Sequence, residues 1–169
     1  MKKLLVMTLV LGSILALTAC GAEITLVPTT TNGISIDMPS DFGAFAEKDG
    51  AMIAANKDET ASVSVSVAAD AGETKPADID QETYQQLAYP GTSDVEFVAY
   101  DNASTCNGIP AIYANCKLKN ANGVSVMAYS YLLFHEDGTI QGVSINYNTD
   151  VESSVTNNVD AIRKSIKKK

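Results

Sequence analysis

Three cysteines and one histidine are the residues of this 169-residue chain best suited to nucleophilic or metal chemistry. They are Cys20, Cys106, Cys116 and His135. A thiolate is a strong nucleophile, and thiolate and imidazole are the preferred zinc ligands, but one histidine with no cysteine at ligand spacing gives little support to a metal site. Because His135 is followed by Glu136 and Asp137, we expect it at the solvated end of a β-hairpin. A metal-ligand or general-base role is the alternative.

Cys20 follows a segment with the composition of a secretory signal. Lys2 and Lys3 precede an almost wholly apolar stretch, residues 4–19, that ends in small residues. A charged head, an apolar run and a small-residue exit are the parts of a signal peptide, and the run is shorter than the about 20 apolar residues of a membrane span. The sequence therefore predicts a signal peptide over 1–19 and a single extracytoplasmic domain over 20–169.

The end of this segment, Leu17-Thr18-Ala19-Cys20 followed by Gly21, resembles the lipobox of bacterial lipoproteins. The resemblance implies that the Cys20 thiol carries a diacylglycerol, that cleavage occurs just before it, and that its new amino group is acylated. It places the protein on the extracytoplasmic face of a cell membrane, with membrane lipid as its first partner. Two or three acyl chains together give stable anchoring. Residues 21–23 span at most about 10 Å, so the folded body should lie close to the bilayer.

An extracytoplasmic location permits a disulfide between Cys106 and Cys116. If residues 109–119 form one strand, Cys116 lies about 26 Å from Gly108 along it, whereas bridged Cα atoms lie about 4.4–6.8 Å apart. Cys116 also alternates in phase with apolar neighbours, as a buried core residue would. We expect free buried thiols, and a disulfide is the alternative if residues 101–108 fold back along the strand.

A group of acidic residues precedes the first predicted helix. Its members are Asp70, Glu73, Asp78, Asp80 and Glu82. Several carboxylates could bind Ca²⁺ or act as a hydrolytic pair, but the spacing lacks an EF-hand loop. Asp78, Asp80 and Glu82 suit the first turn of a helix, where the dipole favours negative charge, and we expect that role. The sequence thus predicts no catalytic residue, no metal and no cofactor beyond the lipid at Cys20.

The charge of the chain is unevenly distributed. Residues 21–162 contain 5 basic and 20 acidic side chains, a net charge of −15, whereas residues 163–169 contain five basic ones. Nucleic acid is disfavoured as a partner because an acidic body repels phosphate. The basic segment complements the dipole of a C-terminal helix, and we expect a frayed helix end there; contact with anionic lipid headgroups is the alternative.

The elements that would position these residues are strands with two helices. Apolar–polar alternation and turn residues predict eight strands, over 24–27, 34–38, 51–56, 61–69, 95–100, 109–119, 123–135 and 139–148. Asn122-Gly123 and Asp137-Gly138 have hairpin chemistry and make the last three strands an antiparallel meander. Apolar stripes predict a helix over 78–88, which includes Leu87 on its apolar face, and another from Val151 to Ile166. Thr149 and Glu152 have the form of its capping box.

Two of the seven tyrosines, Tyr129 and Tyr131, share a strand face with Met127 and Leu133. Because a sheet face of this size needs apolar cover, we expect them to face the core or a covering helix. Tyrosine is also enriched in interfaces, so a partner or ligand surface is the alternative.

The order of these elements resembles the PsbP-like α/β/α sandwich, a superfamily that includes PsbP and small bacterial lipoproteins of the DcrB type. The segments that carry the resemblance are ISIDMPSDF (34–42), SVSVSV (62–67), the meander over 107–134 and SSVTNNVDAIRKSI (153–166). Phe42 departs from the pattern, since a tryptophan often follows the proline in the family. The resemblance implies an α+β fold with a single antiparallel sheet of about seven to eight strands, covered by one short helix and one long C-terminal helix.

The resemblance also implies a non-enzymatic binding or accessory module, whose partner we expect to be another envelope protein. Two alternatives of other classes stay open. One is a small envelope hydrolase that uses clustered carboxylates, which requires two or more of them in one concave site. The other is a small-ligand receptor, which requires a cavity of roughly 300–1,000 Å³.

Overall fold

The computed structural model describes residues 24–90, 92, 94–120 and 122–169. The predicted signal peptide and Cys20 lie outside these residues. The strands are β1 (Leu26–Thr31), β2 (Ile34–Pro39), β3 (Ala46–Lys48), β4 (Ala51–Ala55), β5 (Ala61–Ser66), β6 (Ala69–Asp70), β7 (Glu96–Cys106), β8 (Ile109–Lys119), β9 (Ser125–Phe134), β10 (Thr139–Asn148) and β11 (Lys167–Lys168). The helices are α1 (Gln81–Ala88), preceded by a 3₁₀ turn at Pro76–Asp78, and α2 (Ser154–Ser165).

The larger sheet confirms the predicted α+β fold. Its strand order is β3-β4-β5-β10-β9-β8-β7, with β6 pairing with β10, and every pair is antiparallel. The long meander β8–β9–β10 lies at its centre, as the hairpin signals predict. Gly138 at φ +79° supplies the left-handed conformation that the tight turn between β9 and β10 requires.

The early hairpin does not join this sheet. β1 and β2 form a three-stranded sheet with β11, in which Lys167 is paired with Ser35 and Lys168 with Ile34. The frayed helix end expected for the basic segment is therefore wrong. α2 ends at Ser165, and the fully buried Ile166 directs the following lysines along β2 as a strand.

The start of α2 also differs from the prediction. Ser153 is the N-cap: its hydroxyl accepts from the Thr156 amide, and the Thr156 hydroxyl accepts from the Ser153 amide. The predicted capping box at Thr149 and Glu152 is wrong, because Thr149 instead bonds to Ser125. The apolar stripe begins only at Val155, which is fully buried.

Each face of the larger sheet has its own core. One core lies beneath α2 and the small sheet and includes Val63, Val143, Ile145, Ile162 and Cys106. The second core lies beneath α1 and consists of Ile79, Tyr84, Ile112, Ala114, Cys116 and Phe134, with further side chains at its margin. Leu87 of α1 is 64% exposed, so its predicted place on the buried face is wrong. Each fully buried valine or isoleucine contributes about 1.5–3 kcal/mol.

Cys106 and Cys116 carry free thiols in these two separate cores, so the alternative of a disulfide between them is not realised. Within the described ranges, no helix has the length and hydropathy needed to cross a bilayer.

Candidate functional site

His135 lies inside the protein and not at a solvated hairpin end, so that expectation is wrong. Its side chain is buried, and its Nε2 lies 3.2 Å from Gln141 Oε1. The Gln141 amide in turn donates to the carbonyls of Asn32 (2.9 Å) and Ser66 (2.8 Å). The amide thus ties the β9–β10 hairpin to the small sheet. The sequence does contain a signal for the burial of His135, because this residue continues the alternation of the buried Tyr131 and Leu133.

The metal alternative for His135 requires several ligands close together. Among the residues that the structure describes, no three histidine, cysteine or carboxylate side chains come close enough together to hold a metal ion. His135 Nδ1 is buried without a hydrogen-bond partner, again within those residues. A general-base role would need access to solvent or substrate, and the burial of His135 denies it that.

Three members of the acidic group, Asp70, Asp78 and Asp80, serve local backbone structure. Asp80 is the N-cap of α1, as expected: its Oδ1 accepts from the Thr83 amide at 2.8 Å, and this bond lowers the pKa of the Asp80 carboxyl. Asp78 accepts from the amide of Lys75, and Asp70 accepts from the amide of Gly72. Each of these three carboxylates thus satisfies a nearby amide in a turn or a helix start.

The tyrosines of the first core face α2, which confirms that they lie under a covering helix. The Tyr113 and Tyr131 ring centroids lie 5.2 Å apart, and those of Tyr129 and Tyr147 lie 6.2 Å apart. Arg163 of α2 projects onto this group, with its Cζ 4.5 Å from the centroid of Tyr113 and 5.2 Å from that of Tyr129. The aromatic faces attract the guanidinium and restrict its position.

Hydrogen bonds fix the orientation of Arg163. Its Nε and Nη2 donate to Tyr131 Oη at 3.1 and 2.9 Å, and its Nη1 donates to Asp160 Oδ1 at 3.2 Å. Burial alone would lower the pKa of Arg163, but the bonds to Tyr131 and the nearby phenol and carboxyl groups raise it overall. Burial also raises the pKa of Tyr131, against the effect of Arg163, so the phenol keeps its proton.

A cavity of about 170 Å³ opens beside Arg163, at the end of α2. Its lining residues are Thr105, Cys106, Asn107, Tyr131, Asp160, Arg163 and Lys164. Asn107 Nδ2 donates to the carbonyls of Lys164 and Ile166, so the wall it forms is held to the helix end. Burial raises the pKa of the Cys106 thiol to about 11, so this cysteine is a poor nucleophile at neutral pH.

A larger cleft, of about 650 Å³, lies at the opposite end of the sheet. Its lining residues are Asp94, Val95, Glu96, Lys117, Leu118, Lys119, Ser125 and Thr149. Glu96 and Lys117, which are paired on the neighbouring strands β7 and β8, form an ion pair at 3.9 Å, and their side chains are 71% and 52% exposed. The cleft is therefore an open, charged groove of a size that could receive a small molecule.

The two cavities mark two ends of the molecule. The end formed by Thr25, Ser40, Phe42, Asn56 and Thr149 is called the amino end. The Thr25 carbonyl accepts from Ser40, Phe42 bridges to Asn56, and Thr149 bonds to Ser125 at the rim of the larger cleft. The described chain begins at this end.

The opposite end, formed by Gly33, Asn107, His135, Asp137 and Lys168, is called the tail end. The Lys169 amide donates to the Gly33 carbonyl, and Lys168 Nζ lies 2.6 Å from Asp137 Oδ2. The ten-residue β10 runs between the two ends, which are therefore about 30 Å apart. The basic segment and the Arg163 cavity both lie at the tail end.

Comparison with known proteins identifies the fold. No protein-family model matches the chain, and no curated protein sequence matches it. Among solved structures, cyanobacterial PsbP (CyanoP) from Synechocystis sp. PCC 6803 matches with a TM-score of 0.60 at 13% identity, over 90% of this chain and 99% of that one. The Ran-binding protein Mog1p of Saccharomyces cerevisiae matches with a TM-score of 0.52 at 13% identity, over 83% of this chain and 88% of that one. The chain therefore has a PsbP-like fold.

Proposed function

We propose that this protein is a lipid-anchored, non-enzymatic binding module on the extracytoplasmic face of a bacterial membrane. The lipobox-like sequence ending at Cys20 supplies the anchor, and the folded body supplies the surface that a partner protein contacts. The membrane lipid at Cys20 is the first partner in this proposal, and another envelope protein is the second.

One observation carries the proposal: the fold is secured at its amino end immediately after the anchor position. Thr25 is bonded to Ser40 through both its amide and its carbonyl. Only residues 21–23 and Ile24 separate Thr25 from Cys20, so the amino end can stand no more than roughly 18 Å from an acylated Cys20. The tail end, about 30 Å further along the sheet, then faces the aqueous phase.

The chemistry of the body supports a binding role. The residues best suited to catalysis have structural roles instead: His135 is buried and bonded to Gln141, and Asp70, Asp78 and Asp80 supply caps and turns. The similarity to CyanoP and Mog1p supports the same view at the level of the fold, because one of these neighbours is a Ran-binding protein.

Metabolic labelling with an acyl-chain analogue tests the anchor. We expect the wild-type chain to incorporate the label and to fractionate with membranes, and Cys20→Ala to lose both properties. Cys106→Ala is the matched control, because it removes another thiol and should keep the label. Label that persists in Cys20→Ala would overturn the anchor site, and a wild-type chain without label would overturn the anchor.

A small-ligand receptor is a second candidate function, and the larger cleft favours it. At about 650 Å³ this cleft falls within the size range of ligand pockets, roughly 300–1,000 Å³. The hydrolase alternative finds two carboxylates in the same cleft, Asp94 and Glu96, but Glu96 is largely exposed and faces Lys117. A thermal-shift screen of small metabolites separates the candidates, since a hit whose shift is abolished by Leu118→Asp would favour the receptor.

A further inference from the structure

The tail end contains a small basic cavity that the proposed anchor does not use. Its charged walls come from α2, and its polar floor is Tyr131 of β9. At about 170 Å³ it is too small for a drug-sized ligand, but it has room for about five water molecules at their share of liquid volume, and thus for one carboxylate.

Arg163 is preorganised to meet an anion there. The tyrosine rings and the two bonds to Tyr131 Oη restrict its rotamer, so little side-chain entropy remains to be lost on binding. Its single bond to Asp160 engages one oxygen only, which leaves N–H groups of the fork free for a second acceptor. A guanidinium fork matches a planar carboxylate in geometry and charge.

Two further groups complete the donor set. Tyr131 Oη accepts twice from Arg163, and within the described part of the chain no acceptor is found for its own proton. Lys164 lines the cavity and is exposed. Lys167 and Lys169 follow in the chain and are exposed, whereas Lys168 is engaged with Asp137.

Asp160 shows that Arg163 can pair with a carboxylate at this position. Its carboxylate already occupies one N–H of Arg163, yet its side chain is 76% exposed and its ion pair spans only three residues of one helix. Because the Asp160 carboxylate is exposed, it can turn into solvent, so an incoming carboxylate can use Nη1 as well as the N–H groups that are already free.

We propose that the cavity formed by Tyr131, Arg163 and Lys164 is a recognition site for a carboxylate side chain of an acidic protein partner. This inference rests on the binding role proposed above and is independent of the anchor at Cys20. The site lies at the end of the molecule that the proposed anchor turns away from the bilayer, where another envelope protein could reach it.

Arg163 offers a direct readout because it is the only arginine of the chain. Its Nε–Hε group gives one resolved cross-peak in a ¹⁵N-labelled, full-length protein held in a nonionic detergent. Glutarate, inorganic phosphate and a tetrapeptide of two glutamates flanked by glycines are titrated at constant ionic strength, with sodium chloride as the blank. We expect saturable shifts with glutarate and the peptide.

Variants distinguish specific binding in this cavity from general electrostatic attraction of anions to the protein. Lys164→Gln and Tyr131→Phe should weaken glutarate binding about threefold or more, which corresponds to the loss of one modest polar contact. Asp160→Asn should strengthen it by a similar factor, because the internal competitor is removed. Lys57→Gln removes an exposed lysine at the amino end and should change nothing.

A linear shift that sodium chloride reproduces would overturn the site. So would equal affinities in wild type and Asp160→Asn, and so would phosphate binding tenfold tighter than glutarate, since that would exclude a carboxylate as the preferred ligand. Asp160→Asn keeps the test decisive even where another variant loses stability, because the Asp160 side chain is exposed. Acyl labelling at Cys20 is measured separately, so failure of the anchor and failure of this site give different results.

Discussion

Lys168 Nζ lies 2.6 Å from Asp137 Oδ2, and this ion pair joins the C-terminal strand β11 to the turn between β9 and β10. Asp137 also accepts from the amide and the hydroxyl of Thr139 through its other oxygen. The hydrogen bond from Lys168 is the main reason that the pKa of Asp137 lies well below its usual value, and the bonds from Thr139 add to it. Asp137 thus stabilises the turn between β9 and β10 and also binds β11 to it.

The first prediction concerns acid stability. Because the pKa of Asp137 is lower in the folded state than in the unfolded one, its contribution is present above the unfolded value of about 4 and is lost as the pH falls below it. Asp137→Asn keeps the Thr139 bonds and removes the charge. Its melting temperature should therefore lie below that of wild type at pH 6, and the difference should shrink steadily as the pH falls from about 4 to about 2.

Glu47→Gln is the control for this measurement, since Glu47 is exposed on the short strand β3. It should leave the melting temperature unchanged across the same range. A constant difference between wild type and Asp137→Asn at every pH would show that the charge of Asp137 is not responsible.

The second prediction tests the geometry of Arg163. Arg163→Lys keeps the positive charge but loses the planar fork that donates to Tyr131 and stacks on Tyr113. We expect a loss of about 2 kcal/mol in the free energy of unfolding, measured with urea. Lys164→Ala, one residue further along α2 and exposed, should change it by less than about 0.5 kcal/mol. Equal effects of the two variants would contradict a special role for the fork.

The third prediction concerns the buried amide of Gln141. Gln141→Leu keeps the side-chain size but leaves the carbonyls of Asn32 and Ser66 and the ring of His135 without their partner. Leaving buried polar groups unpaired should cost about 3 kcal/mol in urea unfolding. Gln86→Leu on the exposed side of α1 is the matched control and should be near neutral; a similar loss there would point to a general intolerance of leucine.

The fourth prediction concerns the two buried thiols. Burial raises the pKa of both Cys106 and Cys116 to about 11, although Arg163 and Tyr89 respectively oppose the shift. In a Cys20→Ala background at pH 8, neither should react with iodoacetamide while the protein is folded, and both should react in urea without reductant. Mass spectrometry counts the adducts. Two unreactive cysteines in urea would reveal a disulfide.

The fifth prediction concerns orientation. Lys57→Cys and Lys167→Cys place single dye sites at the amino end and the tail end, and energy transfer to a headgroup-labelled lipid reports their height above the bilayer. We expect stronger transfer from position 57, because the two ends are about 30 Å apart. Equal transfer would mean that the molecule lies flat on the membrane, with the basic segment against the headgroups.

The elements that sequence reasoning predicted well are those governed by local pattern. The β9–β10 hairpin follows from Asp137-Gly138, and β5 follows from the strict alternation of Val63 and Val65. β11 escaped prediction because its two lysines have no apolar alternation; its pairing is imposed by the burial of Ile166 before it.

The candidate site was largely invisible for a related reason. The contact between Arg163 and Tyr131 joins residues 32 positions apart, and nothing local to either residue indicates it. From the sequence alone, Arg163 is only one of the basic residues at the end of the chain. Its position directly after Ile162, which lies on the apolar stripe of α2, is nevertheless close to the sheet. The prediction of a solvated His135 is wrong because its acidic neighbours favour solvent, whereas the alternation of β9 directs its side chain into the protein.

The pairing of β2 with β11 has a consequence for how the chain folds. Ser35 and Lys167 become neighbours only after every intervening residue has been made, so this contact has one of the longest loops to close in the molecule. The small sheet cannot be completed until residues 167–168 reach β2. The protein is therefore expected to acquire its final stability late, and a chain shortened by its last few residues should be cleaved by proteases more readily than the full chain.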